Sequence, residues 1–103
     1  MNGTYLRFYM HENRQVQGEL LYEWLLELAR KIGLHGGTAF KAMAGFGSHG
    51  RIHEAKFFEL AGELTVEVEF LVTEEEAARL LDAVRAANVH VFYAKTPVEF
   101  GML

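Results

Sequence analysis

The chain has 103 residues, half of them hydrophobic, which is enough for one core in one domain over residues 1–103 and small enough to gain from oligomerisation. Its formal charge of −4 argues against a nucleic-acid module, which normally turns a basic face to phosphates. The absence of cysteine excludes disulfides, thiolate metal sites and a cysteine nucleophile and favours a cytoplasmic protein, and neither a basic leader with an apolar core nor a run of about 18 apolar residues points to secretion or membrane insertion.

Residues 4–10 alternate, with Leu6, Phe8 and Met10 on one side and Tyr5, Arg7 and Tyr9 on the other, the period of a strand. Over residues 18–32 the period changes. Leu21, Trp24, Leu25, Leu28 and Ile32 recur at steps of three and four, with Glu19, Glu23 and Glu27 opposite and Arg30-Lys31 in the last turn, as in an amphipathic helix. Gly33 stops it, and Gly36-Gly37 turn the chain into a second strand over residues 38–46. A third strand is clearer: Leu64, Val66, Val68, Phe70 and Val72 alternate with Thr65, Glu67, Glu69 and Leu71. Thr73 with Glu76 three residues on reads as a capping box, opening a helix to about residue 87 with Ala77, Leu80, Leu81 and Val84 inward. Residues 89–94 form the last expected strand, and Pro97, lacking an N–H, is expected to end its pairing.

The order is strand, helix, strand, strand, helix, strand. A four-stranded antiparallel sheet with both helices on one face buries it most simply, an α+β ferredoxin-like fold. The first and third strands are then central neighbours, and Arg7 faces Glu67 or Glu69 amid Tyr5, Tyr9 and Leu71 on the side away from the helices. Such a face suits a homo-oligomer that packs sheets together, or a wet surface of snorkelling tyrosines. Ion pairing with Arg7 fits Glu67 and Glu69 better than proton-transfer chemistry does.

The functional signal lies between the second and third strands. Gly45-Phe46-Gly47-Ser48-His49-Gly50-Arg51, followed by His53 and Lys56, concentrates glycine and positive charge. From Lys41 to Lys56 the balance is +2, leaving −6 for the rest, so a small basic patch on an acidic body favours a small anion over a long polyanion. Glycines expose successive N–H groups and Arg or Lys adds charge-assisted donors, which makes Gly45, Gly47, Arg51, Lys41 and Lys56 the candidate anion-binding residues. The same glycines also fit a plain hairpin tip. They spell G-x-G-x-x-G as well, yet the segment is too short for the helix and returning strand of a dinucleotide fold. His49 and His53, four apart, are the candidate metal ligands, with His35 or Glu54 completing a shell across a symmetry axis. Phe57 and Phe58 are placed to dock on a partner or a neighbouring subunit, or to extend the third strand. No nucleophile–base constellation can be assembled by spacing. A small ferredoxin-like enzyme, an isomerase or monooxygenase, needs an open polar cavity where Leu6, Phe8, Trp24, Leu28, Val66 and Val68 predict a closed core.

With Gly33-Leu34-His35-Gly36-Gly37-Thr38 entering the second strand and Gly45-Phe46-Gly47 leaving it, the chain resembles the PII-like signalling proteins, and within them the family called domain of unknown function 190. The resemblance covers nearly the whole chain and is specific by combination. Two departures stand out: Gly37 where the family typically has Ala, and Glu63-Leu64 where it has a proline before the third strand. The resemblance implies a non-enzymatic trimer of ferredoxin-like subunits with ligand clefts between neighbours. It also implies a signalling loop, here residues 46–62, that touches a membrane transporter or an enzyme. PII-like relatives commonly bind adenine nucleotides in those clefts. The glycine-basic loop after the second helix and the basic C-terminal segment of the original PII proteins have no match here, since Ala86-Ala87-Asn88 is a short turn. The expectation is therefore a regulatory protein binding a small anion or adenine nucleotide, against a metal-responsive trimer or an enzyme.

Overall fold

A computed structural model describes residues 1–45 and 64–103. In chain order the elements are β1 (Asn2–His11), β2 (Gln15–Val16), β3 (Glu19–Leu20), α1 (Leu21–Lys31), β4 (Thr38–Lys41), β5 (Thr65–Val72), α2 (Glu74–Ala86) and β6 (Phe92–Glu99). β4, β5, β1 and β6 lie side by side in that order, every pairing antiparallel. This is the ferredoxin-like arrangement expected from the alternation of β1 and β5, which occupy the centre. Their inward residues Leu6, Phe8, Met10, Val66, Val68, Phe70 and Val72 form one core with Leu21, Leu25 and Ala29 of α1 and Ala77, Leu80, Leu81 and Val84 of α2. Trp24, Leu28 and Ile32 flank that core half-buried.

The helix ends follow from local chemistry. Thr73 accepts the Glu76 N–H while the Glu76 carboxylate accepts that of Thr73, the capping box read from the sequence. Gly33 at φ +98° ends α1 in a left-handed cap: its own N–H reaches the Arg30 carbonyl and that of Leu34 the Ala29 carbonyl. Asn88, at φ 60°, does the same for α2, whose Val84 carbonyl takes the Val89 N–H. The N-terminal turn of α2 is also tied to the sheet. Thr4, 2 % exposed, donates to Glu74 Oε2 at 2.6 Å, and Lys95 of β6 reaches Glu74 Oε1 at 2.9 Å.

Three elements differ from expectation in their bounds. α1 starts at Leu21 because residues 15–20 form a hairpin, β2–β3, in which Gln17 and Gly18 both take positive φ, 52° and 82°. That is the two-residue turn whose twist matches a hairpin, and the helical period running through it concealed it. β4 ends at Lys41. β6 starts later than expected and runs through Pro97 to Glu99, pairing Thr4 with Pro97 and Asn2 with Glu99. It tolerates proline because it is an edge strand with a side on which no N–H is needed.

Candidate functional site

Antiparallel pairing brings the end of β1, the end of β4 and the start of β5 to one corner of the sheet, with His11 opposite Thr65 and Lys41 opposite Val66. The two described flanks of residues 46–63 therefore meet there. Glu12 joins them. Its N–H donates to the Leu64 carbonyl at 2.9 Å, its Oε2 accepts the Leu64 N–H at 2.7 Å, and its Oε1 lies 3.0 Å from the Lys41 ammonium. The Ala42 N–H closes the other flank on the Thr65 carbonyl at 2.8 Å. The Leu64 N–H first, then Lys41, hold the Glu12 carboxyl below its ordinary value of 4.5. Beside this corner a recess of about 350 Å³ is lined by Glu12, Leu20, Tyr22, Ala39, Phe40 and Lys41.

Because that pKa is depressed on folding, the stabilisation it reports is present above the ordinary carboxylate range and is lost as pH falls through the depressed value. Glu12→Gln is expected to be less stable than the parent near neutral pH and to converge with it in acid. Urea denaturation at both pH values checks this, and identical midpoints at neutral pH would show that the carboxylate does not hold the corner.

Of the candidate anion-binding residues, Lys41 and Gly45 fall in the described part. Lys41 stands at the loop base as expected, but its ammonium is already engaged by Glu12. Gly45 has no positive φ, and among the described residues nothing stands within 4 Å of a Cβ placed there, so neither the backbone angle nor a described neighbour requires glycine at that position. Gly47, His49, Arg51, His53, Lys56, Phe57 and Phe58 lie outside the described residues. Among the described residues no group of three His, Asp or Glu is placed to hold a metal. Sequence reasoning missed Glu12, although the topology it predicted sets the residue after the first strand beside the start of the third.

A second constellation lies on the sheet face away from the helices. Tyr5, Arg7 and Tyr9 of β1 stand beside Glu67 and Glu69 of β5, Arg7 opposite Glu69 and Tyr9 opposite Glu67. The Arg7 guanidinium lies 5.1 Å from the centre of the Tyr5 ring, and its Nε is buried with no hydrogen-bond partner among the described residues. The interaction between the two carboxyls, with burial, pushes Glu67 up to about 7, while the same interaction, helped by Tyr5 and Arg7, holds Glu69 low against the opposing effect of burial. Tyr5 donates to Glu69, and its hydroxyl is pushed up to about 12. Phe40, Leu71 and Phe92, each more than half exposed, surround this charged centre, and Phe92 leans on Tyr9 with ring centres 5.6 Å apart.

At the far end of α2 a third feature, a recess of about 450 Å³, opens between Leu81, Val84, Val89, Arg85, His90 and Tyr93, with Phe8 among its lining. It lies beside the short turn after the second helix and meets the expected closed core only at Phe8. In that core Leu6, Phe8, Val66 and Val68 are buried.

The strand order and the two helices on one face define a ferredoxin-like fold. Residues 3–99 match the family described as DUF190, an uncharacterised ACR, and the chain belongs to that family. A UPF0166 protein of Aquifex aeolicus is 38% identical over 83 residues, covering 81% of this chain and 79% of the relative. Another, from Methanocaldococcus jannaschii, is 32% identical over 76 residues, covering 74% and 69%. Among solved structures, CPII, a nitrogen regulatory PII-like protein from Thiomonas intermedia K12 bound to ADP, AMP and bicarbonate, aligns with a TM-score of 0.59 at 19% identity over 99% of this chain and 98% of its own. A protein from Thermus thermophilus assigned to the PII-like signalling class aligns with a TM-score of 0.55 at 19% identity, covering 94% and 88%. At these identities the two structures establish the shared fold. Among the described residues no helix is long and apolar enough to cross a membrane.

Proposed function

We propose that this chain is a non-enzymatic PII-like signalling protein, a homotrimer that binds a small anion, an adenine nucleotide by preference, in clefts between subunits at the base of residues 46–62. The observation that carries the reading is the full-length likeness in fold to a nitrogen regulatory PII-like protein solved with ADP, AMP and bicarbonate. The corner geometry supports it. Lys41, Glu12 and Leu64 bring both flanks of the glycine-basic segment to one point, so a ligand there touches the place from which that segment leaves the sheet. Gly45, Gly47 and Arg51 hold the anion in this reading, Lys41 and Lys56 add charge, and Phe57 and Phe58 meet the partner, an enzyme or a membrane transporter. Ligand binding biases the segment between two states, one of which engages the partner.

A thermal-shift series with AMP, ADP, ATP, cyclic AMP, phosphate, bicarbonate and zinc tests the reading. A ligand at about 100 times its Kd adds roughly 2.7 kcal/mol to the folded state, so one adenine nucleotide is expected to raise the melting temperature in a concentration-dependent way. Arg51→Ala is expected to remove that rise. Unchanged affinity in Arg51→Ala would place the site elsewhere, and a response to zinc alone, lost in His49→Ala, would move the function to the histidines.

A further inference from the structure

The recess beside the corner held by Glu12 opens on the helix side of the sheet. Ala39 and Lys41 stand opposite Val68 and Val66, and residues directly opposite one another in an antiparallel pair share a face, here the one on which the core is built. Its volume of about 350 Å³ falls within the roughly 300–1,000 Å³ of small-molecule sites. Leu20, Tyr22, Ala39 and Val66 give it largely apolar walls, and Tyr22 and Ala39 lean on the core half-buried. The same lining carries one carboxylate and one ammonium, Glu12 and Lys41, 3.0 Å apart. Leu64 ties Glu12 in place through both its N–H and its Oε2. A carboxylate accepts about four hydrogen bonds and an ammonium donates about three, so these contacts leave both groups with capacity for a ligand.

We propose that this recess binds a small zwitterion, an α-amino acid with an apolar side chain, whose ammonium meets Glu12, whose carboxylate meets Lys41 and whose side chain lies against Leu20, Tyr22, Ala39 and Val66. The inference goes beyond the function proposed above and needs neither an assembly of chains nor residues 46–63. Charge decides the class of ligand. A plain anion drawn to Lys41 arrives beside the Glu12 carboxylate, and a plain cation drawn to Glu12 arrives beside the Lys41 ammonium, so each meets a like charge that repels it. A zwitterion instead completes an alternating square in which every charge has opposite neighbours. It adds no net charge, and none of the four is left desolvated without a partner. Because Leu64 fixes Glu12, binding does not have to order that carboxylate. The walls then select the side chain, since a leucine-sized group against them leaves water over an area that glycine cannot cover.

Equilibrium dialysis of the full chain against L-leucine, glycine, 4-methylpentanoate and 3-methylbutylamine tests this, the last two being leucine without its ammonium and leucine without its carboxylate. L-leucine is expected to bind, and each of the other three to bind at least roughly tenfold more weakly, for want of one charge-assisted hydrogen bond or one buried side chain. Glu12→Gln keeps an oxygen for the Leu64 N–H. It is expected to weaken L-leucine by a similar factor and to erase its advantage over 4-methylpentanoate. Lys41→Met changes an exposed side chain and leaves the Leu64 contacts in place, so it decides the matter even where Glu12→Gln folds poorly. It is expected to weaken L-leucine and to erase its advantage over 3-methylbutylamine. Three results overturn the proposal and are distinguishable. Binding of 4-methylpentanoate as tight as that of L-leucine makes the corner a plain anion site. L-leucine affinity unchanged in both variants places that ligand elsewhere on the molecule. No retention of L-leucine at millimolar concentration removes the site, and leaves the adenine-nucleotide series to be judged by itself.

Discussion

Replacing Phe8 by alanine is expected to remove about 3–5 kcal/mol of folding free energy, the usual loss when a fully buried aromatic is truncated. Phe8 is 0% exposed and sits in β1, the strand paired on both sides, opposite Val68 and Tyr93. Its ring meets that of Phe70 edge-on, centres 6.1 Å apart at 84°, and lies 6.3 Å from Tyr93. The loss combines the burial of the ring, these aromatic contacts and a cavity that a paired central strand cannot collapse to fill. It is large against the roughly 5–15 kcal/mol that hold a typical domain. Phe8 also lines the recess beside Leu81 and Val84, so the variant enlarges that space. Urea denaturation with an unchanged slope measures the effect, and a loss below about 1 kcal/mol would mean that the ring is not the keystone its burial implies.

The core elements were legible because each is governed by one period. Inward and outward residues alternate from Thr4 to the end of β1 and throughout β5, and Thr73 with Glu76 announces α2 by a pair of hydrogen bonds encoded three residues apart. What escaped depends on tertiary position. Pro97 reads as a stop, but only until it is known that β6 has an unpaired edge. The β2–β3 hairpin uses Gln17 at φ 52°, a left-handed conformation that glutamine gives no reason to expect. Glu12 is invisible as a site residue in one dimension, because its partners Lys41 and Leu64 are 29 and 52 positions away. The sheet-face cluster lay between these cases: alternation placed Arg7, Glu67 and Glu69 on one side, while the register that sets Arg7 against Glu69 came from pairing. The glycine-basic segment, the strongest functional signal in the sequence, extends beyond the described residues after Gly45, so its anion-binding role rests on composition and on the corner from which it departs.

Gly37→Ala is expected to destabilise the protein by about 1–3 kcal/mol, the range for overpacking a filled site. Two effects oppose each other. Gly37 has no positive φ, so alanine fits the backbone and would by itself stabilise by about 0.4–1 kcal/mol through the unfolded chain. Against that, a Cβ at Gly37 would stand 2.4 Å from Phe70 Cε1, 2.8 Å from its Cδ1 and 3.1 Å from Leu26 Cδ2. A surface side chain would swing aside, but Phe70 is 2% exposed and its ring is held edge-on by Phe8, so the strain passes to the backbone. Thr38, the next residue, opens β4 opposite Glu69, and the displacement therefore runs toward Lys41 and the corner held by Glu12. The clash predicts its own remedy. Phe70→Leu shortens the side chain that meets the new methyl, so Gly37→Ala should cost at least about 1 kcal/mol less in the Phe70→Leu background than in the parent. Chemical denaturation of the four proteins in that cycle decides it: additive losses, or a Gly37→Ala variant as stable as the parent, would show that glycine is not kept there to make room for Phe70.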